Sequence, residues 1–107
     1  LKVGDLRVAS NCLDKLSRIV CERSPAEALG LARESLRLAR ESGVVSRIVH
    51  SGIGLSRILV SNNQVQEALL QIELSELKVV GVDNLLLAEQ LAEAREFVES
   101  KLLLNEL

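Results

Sequence analysis

The stretch "NNQVQEALLQIELSEL" (residues 62–77) carries the triplet Glu67-Ala68-Leu69, which already occurs at Glu27-Ala28-Leu29, forty positions earlier. The copy extends past the triplet: Ala68, Ile72, Ser75 and Val79 stand forty beyond Ala28, Ala32, Ser35 and Ala39. At about 100° per residue these spacings place each set on one side of a helix. In the first copy the set is the centre of an apolar arc flanked by Leu29, Leu31, Leu36 and Leu38, while Arg33, Glu34, Arg37, Arg40 and Glu41 share the other side. Small residues along the middle of a buried arc let neighbouring helices come close, and the flanking leucines fill the remaining gaps. A helix of this design packs on two sides, and the period predicts a second one over the quoted stretch.

Working outward, turn residues cluster at Ser24-Pro25, Ser42-Gly43, Asn62-Asn63 and Gly81-Val82-Asp83-Asn84. They divide the chain into five helical segments, at about 6–22, 25–42, 44–61, 64–80 and 84–104. Ser24, followed by Pro25 and by Glu27 three residues on, is a capping box, and Asn63 with Gln66 offers a looser version. The third segment is apolar over most of its circumference and belongs mid-structure, with a polar wedge of Ser46, Arg47, His50, Gly54 and Arg57. The fifth carries Leu87, Leu91, Ala94, Val98 and Leu102 at steps of three or four, with an acidic opposite side, and reads as a terminal cover. Five helices leave one without a hairpin partner, which points to excision from a longer array, as does the absence of Met even at position 1.

Composition agrees with one all-α domain. A chain of 107 residues with 48% apolar content can enclose a core without disulfides or metals. One Phe and no Tyr or Trp, against abundant Leu, Ala, Glu and Arg, favour helix over strand. Cys12 and Cys21 fall on opposite faces of one helix, out of reach of each other, and are expected to be buried unpaired thiols. No leader and no apolar run long enough to span a bilayer is present, so a soluble, intracellular, cytoplasmic chain with no membrane partner is expected. Up to Arg57 there are ten Lys or Arg against six acids, and beyond it three against nine. The basic half does not read as a nucleic-acid surface, because Glu27, Glu34 and Glu41 interleave with Arg33, Arg37, Arg40 and Arg47 and no stacking aromatics accompany them. A salt-bridged, solvated face is expected instead.

Catalysis has little to work with. One His, two separated Cys and no converging carboxylates assemble no nucleophile, base and orienting group, and the same census leaves no zinc set. No enzyme, cofactor or metal site is expected. Gly52-Ile53-Gly54 lacks the preceding strand and the third glycine of a phosphate loop, and an apolar helical period runs through it. Its glycines are expected to permit close helix contact.

Read back from Ala68, the residues Leu55-Ser56, Leu59, Asn63 and Glu67-Ala68 fall, without gaps, at the spacing of a tetratricopeptide repeat. The segment resembles that family, with Ser56 in place of the small Gly, Leu59 in place of the usual aromatic, and Asn63 in place of the turn Gly. Asn suits that last position because it enters the left-handed region more readily than most residues. Lys15-Leu16 and Arg95-Glu96 depart from the pattern at the corresponding positions. The likeness covers residues 6 to about 80. Its forty-residue period is closer to the longer tetratricopeptide-like units of MalT-like transcriptional regulators than to the form of about 34 residues, and HEAT-type repeats also fit it.

The resemblance implies antiparallel helical hairpins stacked as a short right-handed superhelix, with the first helix of each pair lining a concave surface. On that register His50, Ile53, Arg57 and Val60 face the groove from helix three, Ser10, Leu13, Ser17 and Val20 from helix one, and Gln90 and Phe97 from helix five. The polar wedge found from periodicity shares His50 and Arg57 with this set. Phe97 reads either as a core plug or as a ligand anchor. The expected function is a protein-interaction or scaffold module that binds a peptide or a partner helix. One alternative is an effector-sensing segment of a MalT-like regulator. A further alternative is a self-associating bundle, forming a homodimer through the apolar end at Leu102-Leu103-Leu104 and Leu107.

Overall fold

The ends of the helices follow from local chemistry, and the two hairpin turns use different chemistry. In the computed structural model, which describes residues 2–106, α1 spans Val3–Cys21 and begins without a side-chain cap at Lys2. It leaves through Glu22 in right-handed conformation, and the N–H groups of Arg23 and Ser24 both donate to the Val20 carbonyl. Helix α2 (Pro25–Ser42) starts at the expected box: Ser24 Oγ accepts from the Glu27 N–H at 3.3 Å, with proline at the first position. It ends at Gly43 with φ 69°, the left-handed stop that glycine adopts without strain.

Helix α3 (Val45–Ser61) stops at Asn63 with φ 60°. There Gln64 N–H donates to the Leu59 carbonyl and Asn63 N–H to that of Val60, the paired pattern of a Schellman turn. The left-handed role expected of Asn63 is therefore present, and its expected capping role is not: Gln64 precedes α4 (Val65–Lys78) and no side chain caps it. Helix α5 (Leu85–Glu106) opens with Asn84 Oδ1 accepting from the Leu87 N–H at 3.0 Å.

The described residues are all-helical, in the expected order of five. The closest pairings are α1 on α2 and α3 on α4, and α2 on α3 and α4 on α5 join these hairpins in series. Helix α1 also packs on α3 and α3 on α5, whereas no Cα atom of α2 comes within 8 Å of α4. Odd helices thus form one layer and even helices the other, in a slab of 47 × 34 × 17 Å.

Between the layers lies the main core. Ala28, Ala32 and Ala39 from α2 and Ala68 and Ile72 from α4 surround Leu55 and Leu59 of α3, with Ala94 and Val98 of α5. A smaller cluster joins α3 to α5 through Val49, Leu87 and Leu91. The two helical glycines serve close approach, as expected: a Cβ at Gly52 would collide with Ser75 Oγ, and one at Gly54 with Asp14 Oδ1.

The cysteines correct an expectation. Both are unpaired, but Cys12 is exposed and Cys21 only half-buried, because α1 is outermost and is covered on one side alone. Of the apolar end, Leu103 and Leu104 are exposed and Leu102 packs on the core, while Leu107 lies outside the described residues. No helix among the described residues is long and apolar enough to cross a membrane.

Candidate functional site

The layer of odd helices carries a groove of about 480 Å³ that draws on all three of its members. Asn11, Asp14 and Arg18 come from α1, Arg47, His50, Ile53, Gly54 and Arg57 from α3, and Gln90 and Glu93 from α5. Of the residues expected to line such a groove, His50, Ile53, Arg57 and Gln90 are brought together here. His50 Nε2 lies 2.8 Å from Gln90 Oε1, so these two already satisfy each other across the α3–α5 junction.

Phe97 sits beside the groove, half-buried against the core. The Arg57 guanidinium lies 5.3 Å from its ring centroid and the Lys101 ammonium 5.5 Å, both within range of a cation–π attraction. Phe97 is thus a core residue that also holds Arg57 in place. Val60 is half-buried and packs on the core.

The α1 residues are where expectation and structure part. Ser10 and Ser17 are fully buried, Leu13 is half-buried, and none of the three lines the groove. Their immediate successors Asn11, Asp14 and Arg18 do. Translated by forty positions, the inward stripe Ser10, Asp14 and Ser17 falls on His50, Gly54 and Arg57, the groove wedge of α3. The two helices thus differ at the outer positions, where Ser10 and Ser17 are buried while His50 and Arg57 reach the groove, and agree at the middle one, where Asp14 and Gly54 both line it.

The buried side of α1 builds a polar junction. Ser10 Oγ donates to the Ser35 carbonyl at 2.8 Å and Ser35 Oγ to the Ser10 carbonyl at 2.7 Å, while Ser51 Oγ lies 3.1 Å and 3.2 Å from the two hydroxyls. Arg47, expected on the exposed wedge, is only 8% exposed. Its guanidinium donates to Asp14 Oδ2 at 2.9 Å, to Asn11 Oδ1 at 3.0 Å and to Ser51 Oγ at 3.2 Å. Asp14 Oδ1, buried against Gly54, has no hydrogen-bond partner, and the Gly54 Cα–H aimed at it supplies only a weak contact.

Consumption of Arg47 by Asp14 leaves a different set of charges for a ligand. Arg18, Arg57 and Glu93 line the groove and make no ion pair among the described residues. Two free guanidiniums against one carboxylate make the accessible rim cationic on balance. Periodicity identified Arg57. It missed Arg18 because the register carried over from α3 put Ser17 in that place. Comparison with known proteins gives no match: no family model matches the chain, and neither a curated protein nor a solved structure does.

Proposed function

We propose that the chain is a protein-interaction module of tetratricopeptide-like design, whose groove across α1, α3 and α5 takes a peptide segment bearing a carboxylate. The observation that carries this reading is the convergence of two unpaired arginines, Arg18 and Arg57, from different hairpins onto one groove. A guanidinium offers a planar fork of donors that matches a carboxylate. The Phe97 ring against the Arg57 guanidinium restrains it, which reduces the ordering cost of forming such a contact. Ile53 in the same groove gives an apolar side chain of the peptide a place to sit.

The test is an array of ten-residue peptides in matched acidic and basic versions, probed with the labelled chain. The acidic set should be retained preferentially. Arg57→Glu should abolish that preference while leaving the helical circular dichroism unchanged, since Arg57 is exposed. Equal retention of both sets, or unchanged acidic binding by Arg57→Glu, would remove this reading.

A further inference from the structure

Helices α2 and α4 are related by the forty-residue translation, and their inward faces agree: Ala28 and Ala68, Ala32 and Ile72, and Ser35 and Ser75 are all buried. The outward faces do not agree. On α2, Arg37 donates from Nε to Glu34 at 2.9 Å and also pairs with Glu41. The hydrogen bond from Arg37 holds the Glu34 carboxyl below its usual value, so Glu34, Arg37 and Glu41 find their charge partners inside their own helix. Forty positions beyond Gly30, Glu34, Arg37 and Arg40 stand Leu70, Leu74, Leu77 and Val80, which are 53%, 40%, 69% and 76% exposed. A face that is ion-paired in one repeat is bare hydrocarbon in the next.

The three leucines are spaced by four and then three residues, which aligns them as a single seam along α4, opposite Ala68, Ile72 and Ser75. We infer that the outer face of α4 is a self-association surface, on which the α4 helix of a second copy packs in parallel, seam against seam. A seam lying along a two-fold axis is complementary to itself, and removal of exposed leucine from water drives the contact.

Charge selects the second copy and its direction. Glu73 and Lys78 flank the seam on opposite sides; both are exposed and make no ion pair among the described residues. In a parallel pair, a residue on one flank meets the residue five positions later on the opposite flank of its partner. Glu73 of each copy then meets Lys78 of the other, twice by symmetry. In an antiparallel pair the same flanks face each other, which sets Glu73 beside its own counterpart flank and leaves Lys78 facing Gln71.

Sedimentation equilibrium tests this on the full chain. The wild type should sediment as a dimer, and Leu74→Glu or Leu77→Glu should halve the apparent mass with the helical circular dichroism unchanged, because both leucines are exposed. Lys78→Glu should weaken the dimer, and combining it with Glu73→Lys should restore it. In a Cys12→Ser/Cys21→Ser background, Leu70→Cys should form an interchain disulfide on oxidation, as parallel packing requires. A monomer at millimolar concentration, a dimer that survives Leu74→Glu, a dimer lost instead through Leu103→Glu, or no Leu70→Cys cross-link would each overturn the inference. None of these substitutions touches the groove residues, so failure here is separate from failure of the peptide-binding reading.

Discussion

Two junctions hold the odd helices in a row, and they are built from opposite chemistry. Between α1 and α3 the contact is polar: the Arg47–Asp14 ion pair, the Ser10–Ser35–Ser51 hydroxyl cluster and Gly54 against Asp14. Between α3 and α5 it is apolar, with Val49, Leu87 and Leu91 at its centre and Val45, Ile53 and Val79 around them. Its one side-chain hydrogen bond among the described residues is His50 to Gln90, at the groove edge. Apolar contact is non-directional and tolerates small slides and rotations of one helix on another. A guanidinium shared among a carboxylate, an amide and a hydroxyl tolerates almost none, since a displaced partner leaves a buried polar group unmatched. The polar junction fixes the setting of α1 on α3, and the apolar one supplies burial.

The largest effect expected from breaking this contrast is at Arg47. Arg47→Ala leaves the Asp14 carboxylate buried without its partner and should lower unfolding free energy by about 3–5 kcal/mol in urea titration. Replacing both charges together, Asp14→Leu with Arg47→Met, should return stability to near the wild-type value or above it. If the single variant were harmless, the junction would not be the lock described here.

Leu91→Ala attacks the other junction and should cost about 2–3 kcal/mol, at the low end for a buried leucine, because Leu91 also lines an open surface groove between α4 and α5 into which neighbours can relax. A loss exceeding that of Arg47→Ala would invert the ranking. Gly54→Ala should cost least, about 1–3 kcal/mol, by forcing a methyl group against Asp14 Oδ1. Its signature is selective: amide hydrogen exchange should speed up in α1 and leave α5 unchanged, and uniform acceleration would argue against a local clash.

Much of the architecture was legible because punctuation and period agreed. Ser24-Pro25 and Gly43 set the ends of α2 where they were expected, since a box, a proline and a left-handed glycine each act locally. The start of α1 at Val3 was missed because no capping side chain precedes it. In the groove, His50, Arg57 and Gln90 were readable from α3 and its translation onto α5. Asn11, Asp14 and Arg18 were not, since which side of α1 meets α2 and α3 is decided by tertiary packing. Burial of Arg47 was equally hidden, as an arginine on a polar wedge gives no sign that an aspartate thirty-three positions earlier will receive it. The leucine seam of α4 was open to reading: subtracting the charged positions of α2 from their counterparts forty later exposes it.

The two layers differ in how they resist bending. The odd row is continuous, packed helix to helix, whereas Arg33 to Glu67 at 3.0 Å is the single ion pair spanning α2 and α4 among the described residues, and both partners are partly exposed. Such a body behaves like a leaf spring with one stiff leaf. Pulling α2 and α4 apart breaks no direct packing between them, whereas bending the odd row must open its helix-to-helix contacts.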